Sequence, residues 1–469
     1  MATAGDTSNP QQPARQAPAS EPERASPVYR WPRGMVWVAL GVLLFSLIIV
    51  AWAIWQQGIN ARYAEIRARG EPVTFADLDA AYPRLAAGED TTQLLLTAGN
   101  ILNTSAGKPE WRPLPYIGEG PEARVDAAWS HLELAQKFLT ENASALEQLH
   151  KAADLGCQAR FDGVASPSGV DVVMNYATPL RSACRALCLE ADVRQHSDDL
   201  PAAAQSLVAA IKLERALANE PLEVSQLIRA AIFGMAAHEA KWELALSSFS
   251  DADLRVLHHA LSDIDFQRSL KTAFLGERVY TITGGVSAAG PGPKSIRNRL
   301  SDLAQRLETA RCLDFWAEFI AATELPWPQM FDESRSIAAR CYASQPRWQE
   351  WVDIWNPGVA NMVVNAITRA ELTRRLLLVT IALERYRLRR GASPADLVTL
   401  VPEFLADVPD DPTDGTPFSY QATDVGYVLY SKTKEFPLPY GEAYDAETGA
   451  NPSVLFRRPP SSSRPMPGE

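Results

Sequence analysis

The stretch Leu180–Ala218, LRSACRALCLEADVRQHSDDLPAAAQSLVAAIKLERALA, decides the fold class. From Leu180 to Gln195 its apolar residues recur at three- and four-residue steps, the spacing that lines one face of an α-helix. The polar turn HSDDL follows, and a second helical pattern runs from Pro201 to Ala218 with Ala203, Leu207, Ile211 and Leu213 as its apolar positions. Pro201 suits a helix start, because first-turn N–H groups have no acceptor within the helix. Helices joined by so short a turn lie side by side, so helix pairs are the expected building unit.

The same grammar extends outward. Val125–Leu149 carries Ala128, Leu132, Ala135, Leu139, Leu146 and Leu149 on one predicted helix. A longer helix opens at Pro221 with Val224, Leu227, Ile228, Ala231, Ile232 and Met235, and Ser250-Asp251-Ala252-Asp253 forms a capping box ahead of Leu254, Val256, Leu257 and Leu261. Helical pattern returns over Leu300–Ala322 and again from Val359 to Arg390. Asn103–Glu122 and Gly284–Pro293 read as irregular Pro- and Gly-rich breaks, and Leu325–Pro357 as mixed structure. The Leu180–Ala218 hairpin is similar in style to a tetratricopeptide pair, but that repeat's Trp, Gly and Tyr positions are missing and no fixed period emerges. The expectation is a mainly α chain whose residues 56–357 form an α-helical bundle or repeat-like domain.

Upstream lies Met35–Trp55, MVWVALGVLLFSLIIVAWAIW, without a charge. About 20 apolar residues at about 1.5 Å rise span a hydrocarbon core of roughly 30 Å. Trp31 and Trp37 mark one end and Trp52 and Trp55 the other, where indoles settle at membrane interfaces. A cleavable signal peptide is the competing reading, with Ala51-Trp52-Ala53 as a loose cleavage site. The apolar run is too long for it, so an uncleaved transmembrane anchor over 35–55 is expected. Residues 1–34, rich in Pro, Gln and Ser, read as disordered. Arg24, Arg30 and Arg33 before the helix nearly balance Arg62, Arg67 and Arg69 after it. A short N-terminal tail most naturally stays in the cytoplasm, giving an N-in, C-out orientation.

Bulk composition narrows the classes. The 469 residues carry 46% hydrophobic and 22% charged side chains, an ordinary globular balance, and a net charge of −11. Nucleic-acid binding needs surplus Lys and Arg to displace counterions, so the charge argues against that partner and none is expected. Five cysteines do not make a disulfide framework. Cys184 and Cys188 share a helical face, yet two thiols without a third ligand read as small core hydrophobes rather than a zinc site.

Chemistry-bearing motifs fail one by one. His238-Glu239-Ala240-Lys241-Trp242 begins like HExxH, but Trp242 stands where the second imidazole must be. His258 and His259 diverge by about 100° on a helix and read as a surface pair. Gly284–Lys294 lacks the phosphate-cradling spacing, and no G-x-S-x-G elbow occurs. Glu277-Arg278 reads as a structural ion pair. No catalytic residue, cofactor-binding residue or metal ligand is assigned.

The C-terminal text ALERYRLRRGASPADLVTLVPEFLADVPDDPTDGTPFSYQATDVGYVLYSK, Ala382–Lys432, carries a resemblance. Gly391 suits a helix C-cap, Pro394 stops the helix, Asp411-Pro412-Thr413-Asp414-Gly415 is turn chemistry, and Phe418–Tyr420 with Tyr427–Tyr430 suit an antiparallel pair. The order resembles the soluble head of major, G-like type II secretion pseudopilins. It rests on Ala382, Leu383, Glu384, Tyr386, Gly391, Pro394, Leu397, Pro409, Asp411, Pro412, Gly415, Pro417, Tyr427, Leu429, Tyr430 and Ser431. The resemblance implies a small α+β element over 358–450, with residues 451–469 as a disordered tail. No G-F-T-L-x-E processing motif flanks Met35, and over three hundred residues separate anchor and head. Lys432-Thr433-Lys434-Glu435 stands where the family carries a calcium loop, so calcium is not carried over, and Asp445 and Glu447 are only a weak acidic cluster. Leu213–Ile232 and Ala273–Arg278 also look like bacterial single-pass membrane proteins of no assigned activity that join a helical ectodomain to such a head.

These readings make the chain an inner-membrane protein with its bulk on the periplasmic side. A non-enzymatic interaction or scaffold role with a protein partner is expected, without a cofactor. The alternatives are an accessory of a type II secretion or pilus-like system, and an enzyme whose site assembles from scattered residues.

Overall fold

The computed structural model describes residues 33–86, 88–120, 129–283, 296–344, 357–423 and 426–432, and the backbone of 455–457. The expected breaker at Gly284–Pro293 lies outside these residues, as do Asp445, Glu447 and all but the end of the N-terminal tail. Two compact units are present, Met1–Ala61 and Arg62–Glu469.

The first unit holds most of α1, Arg33–Ala68, whose apolar run is helical throughout. Large apolar side chains from Met35 to Ile54 are 43–73% exposed, the reverse of a water-soluble helix. By length and composition α1 suffices to cross a membrane.

The second unit is mainly helical, and its elements follow from the sequence. Thr74 caps α2 (Phe75–Ala81) in a capping box with Asp77. Next come α3 (Thr92–Ala106), α4 (Leu132–Glu141), α5 (Ala143–Asp154), α6 (Gly169–His196), α7 (Leu200–Lys212) and α8 (Glu223–Leu246). Ser250 and Asp253 close the expected capping box on α9 (Asp251–Ser262), followed by α10 (Phe266–Thr283), α11 (Ile296–Ala322), α12 (Trp327–Ser344) and α13 (Pro357–Arg390). The predicted pair is present: α6 packs on α7, and also on α3 and α8, while α8 packs on α13.

Several boundaries differ from expectation, each for a local reason. Helix α6 begins well before Leu180 and runs through Pro179, where Gly99 of α3 leaves room for the proline backbone to approach. The single helix expected over Val125–Leu149 is broken at Asn142, whose buried amide donates to the Phe138 carbonyl (2.8 Å) and to Ser105 Oγ (3.1 Å). After α7 the chain tightens into a 3-10 helix over Leu213–Leu217.

Asn103–Glu122 is only partly irregular, since α3 continues to Ala106 and the 3-10 turn Pro109–Trp111 buries Trp111 edge-on against Phe138, with ring centroids 5.3 Å apart. Leu325–Pro357 is helical over Trp327–Ser344, because Pro328 falls in the tolerant first turn and Met330, Phe331, Ile337 and Ala338 bury one face.

At the C-terminus Gly391 adopts φ +77° and ends α13, its N–H donating to the Arg387 carbonyl at 2.8 Å. Gly415 (φ +73°) closes the turn back to the Asp411 carbonyl at 2.9 Å. Strands β1 (Ser419–Thr423) and β2 (Gly426–Tyr430) then pair antiparallel, with Tyr420 opposite Leu429 and Ala422 opposite Tyr427. A third strand, β3 (Leu455–Arg457), adds to β2, and the rest of the tail over 451–469 lies outside the described residues.

Candidate functional site

Helix α8 crosses the core of the second unit, and buried carboxylates collect at both of its ends. Glu220 lies just before its first turn. It accepts hydrogen bonds from the hydroxyls of Tyr82, Tyr176 (2.7 Å) and Ser225 (3.4 Å). Tyr82 Oη in turn accepts the Phe161 N–H at 3.1 Å, and Arg160 stacks over the Tyr82 ring at 4.7 Å. Burial raises the Glu220 carboxyl to about 7 despite these donors. Burial and the Glu220 charge hold both phenols protonated far past their usual range. Beside it, Glu277 of α10 accepts the Glu223 N–H at 3.0 Å, and burial raises its carboxyl to about 7 as well.

The other end of α8 is arranged differently. Asp192 of α6, with Glu239 and Glu243 one turn apart on α8, brings one carboxylate oxygen each to within 4.8 Å of the others. The three residues are 3%, 3% and 1% exposed. The helix ends that carry them are clamped by Gln195 Nε2 donating to Ser247 Oγ at 2.5 Å. Tyr116 donates its hydroxyl to Glu239 Oε2, and His196 Nδ1 lies 3.1 Å from Asp192 Oδ1. Burial works against a charged His196, but the Asp192 carboxylate and carbonyl outweigh it and raise the imidazole. Both oxygens of Glu243 are buried without a hydrogen-bond partner. Burial, then the Glu239 and Asp192 charges, pushes the Glu243 carboxyl well above the usual range.

The residues singled out from sequence fall in varied places. Cys184 and Cys188 are buried on α6, with Sγ atoms near the Ile232 and Met235 carbonyls (3.5 and 3.9 Å), a core packing role. Trp242 Nε1 donates to His238 Nε2 at 3.2 Å, so the HExxH-like start engages its imidazole within α8. His259 is exposed beside Asp263, whereas burial lowers the pKa of its neighbour His258. Glu277 and Arg278 do not pair with each other as expected. Successive helical residues diverge, and Arg278 reaches Glu71 (2.6 Å) and the Pro72 carbonyl (3.0 Å) instead.

Sequence reading missed the Asp192–Glu239–Glu243 group. The available signal was Glu239 and Glu243 four residues apart among Ala236, Ala240 and Leu244, a charged pair on an apolar face.

A cleft of 130 Å³ opens where the end of α8 meets α9 and α13, lined by Leu244, Ser247, Phe249, Glu384 and Arg387 among others. That is below the roughly 300 Å³ at which small-molecule pockets begin. In the C-terminal segment Tyr427 Oη donates to Glu384 (2.8 Å), and Ser431 Oγ donates to Asp411. No known protein-family model matches the chain, and neither curated proteins nor solved structures yield a match.

Proposed function

We propose that this chain is a single-pass inner-membrane protein that holds its helical unit on the periplasmic side and acts by binding a protein partner, without catalysis. The reading rests on α1, an uninterrupted helix whose exposed apolar run is long enough to span a bilayer. Charged side chains of the second unit engaged in structural pairs add support. Arg229 meets Glu214 at 2.5 Å, Arg278 meets Glu71 at 2.6 Å, and Arg374 and Arg375 both hold Glu371 at 2.7 Å. Crosslinking in intact membranes followed by affinity capture of the full chain should recover one reproducible partner, and consistently empty captures would overturn the reading. Reporter fusions at the C-terminus test the orientation; a reporter active in the cytoplasm would reverse it.

A second reading, accessory to a type II secretion or pilus-like system, draws on the head. Its helix end, Gly391 cap, Asp411–Gly415 turn and β1–β2 hairpin follow the order that the resemblance implies. Deletion of Ser419–Lys432 should then impair secretion or filament formation while α13 and the helical unit persist. An unchanged secretome would remove this support.

A further inference from the structure

We propose that Asp192, Glu239 and Glu243 bind a hard divalent cation, with Ca²⁺ the best fit. The inference does not depend on the membrane or partner reading. Three carboxylates converge from two helices in a buried place, and convergence alone is common among acidic residues. The decisive feature is Glu243, 1% exposed, with both oxygens buried and unpartnered while its carboxylate faces those of Asp192 and Glu239. A buried carboxylate without donors is expensive to keep, and native interiors supply a hydrogen-bond donor or an ion.

Helix geometry removes one source of relief. Glu243 lies in the last turn of α8, which ends at Leu246, and Asp192 lies near the end of α6 at His196. The C-terminal end of a helix carries negative partial charge, so the backbone adds to the repulsion here. His196 Nδ1, 3.1 Å from Asp192 Oδ1, reaches Asp192 and not Glu243.

The donor set selects the ion. Three carboxylate oxygens without thiolate or imidazole suit hard cations over Zn²⁺ or Cu²⁺. Ca²⁺ accepts flexible all-oxygen shells, whereas Mg²⁺ demands near-octahedral geometry and gives up its water reluctantly, so a fixed buried carboxylate set favours Ca²⁺. The three carboxylate oxygens lie within 4.8 Å of one another, so small side-chain shifts bring them onto one ion. Bidentate carboxylates can supply further oxygens toward the roughly 6–8 that Ca²⁺ takes.

The test uses the full chain in detergent micelles at pH 7.5, stripped with EDTA and dialysed. Calorimetric titration with CaCl₂, read beside thermal unfolding, should show saturable uptake and a rising Tm, with MgCl₂ weaker. Glu243→Gln should weaken the saturable uptake at least as much as the roughly 100-fold that loss of an outer-shell partner can cause. It should also keep the helical circular dichroism of the parent and raise its cation-free Tm. Should Glu243→Gln fail to fold, Glu239→Gln and Asp192→Asn take its place in the same titration. Wild-type protein that is folded yet takes up no Ca²⁺ would overturn the proposal, since Glu239 and Glu243 would then simply share a proton. Undiminished uptake by all the folded variants would equally overturn it.

Discussion

The two ends of α8 both carry buried acidic groups and surround them differently. Ahead of the first turn, Glu220 is met by two phenols and a serine hydroxyl, and Glu277 by the Glu223 N–H. The positive end of the helix favours negative charge there. Within the last turn, Glu243 has no donor, and the helix end is itself negative. The contrast teaches that burial alone does not define a role for a carboxylate. A group surrounded by donors is part of the scaffold, and a group left without them points to a ligand. The first end is not perfectly satisfied either, since Glu223 Oε1 lacks a partner and the Glu277 charge adds to burial in raising its carboxyl.

The comparison can be broken most forcefully at Gly276. A Cβ there would overlap the Pro221 backbone, which leads into α8. Gly276→Ala should therefore cost about 3 kcal/mol in urea unfolding of the full chain in detergent. A change within experimental error would show that the loop ahead of α8 is free to move.

The next effect is a pH dependence. Glu220 is raised to about 7 in the folded chain against 4.5 for its ordinary value. Between those limits the folded state keeps a proton that the unfolded chain has released. Stability contributed by this group therefore falls as pH rises from about 4.5 to 7 and is level above, by at most about 3 kcal/mol. Glu220→Gln should flatten that part of the profile. An unaltered slope would assign the titration elsewhere, with Glu277 next in line.

A smaller loss is expected on removing one donor. Tyr176→Phe takes a hydroxyl from Glu220 while preserving the stacked contact with Phe161, whose ring centroid lies 3.9 Å away. A buried acceptor deprived of one donor should cost about 1–2 kcal/mol, read by thermal or urea unfolding at pH 8. Smallest of all, Glu243→Gln in cation-free buffer should change stability by about 1 kcal/mol or less, in the stabilising direction, because the amide keeps the side chain's shape and offers Glu239 a permanent donor. A large destabilisation would mean that Glu243 is satisfied after all, and the contrast between the two ends would collapse.

Much of the architecture was legible because its causes are local. The capping box at Ser250, the αL glycine at Gly391 and the Asp411–Gly415 turn act within a few residues, and each appears where the sequence put it. Misplaced boundaries had non-local causes. The Pro179 stretch of α6 packs against Gly99 of another helix, and the Asn142 break involves Ser105 of α3. The site was less legible than the fold. Glu239 sits in a sequence that begins like HExxH, but its neighbour one turn on is Glu243 and no second histidine follows.

By itself the sequence determined a mainly helical chain with one apolar segment long enough to cross a membrane and a turn-and-hairpin head. Periodicity, caps and turn residues act over one or two helical turns and need no knowledge of neighbours. Only the tertiary structure decided which buried charges are paired. Arg278 turned from Glu277 to Glu71, Glu220 gathered Tyr82 and Tyr176, and Asp192 met Glu239 and Glu243 across two helices. Each of these is a contact between segments distant in sequence, and helix packing alone sets whether a buried carboxylate faces a donor or another carboxylate.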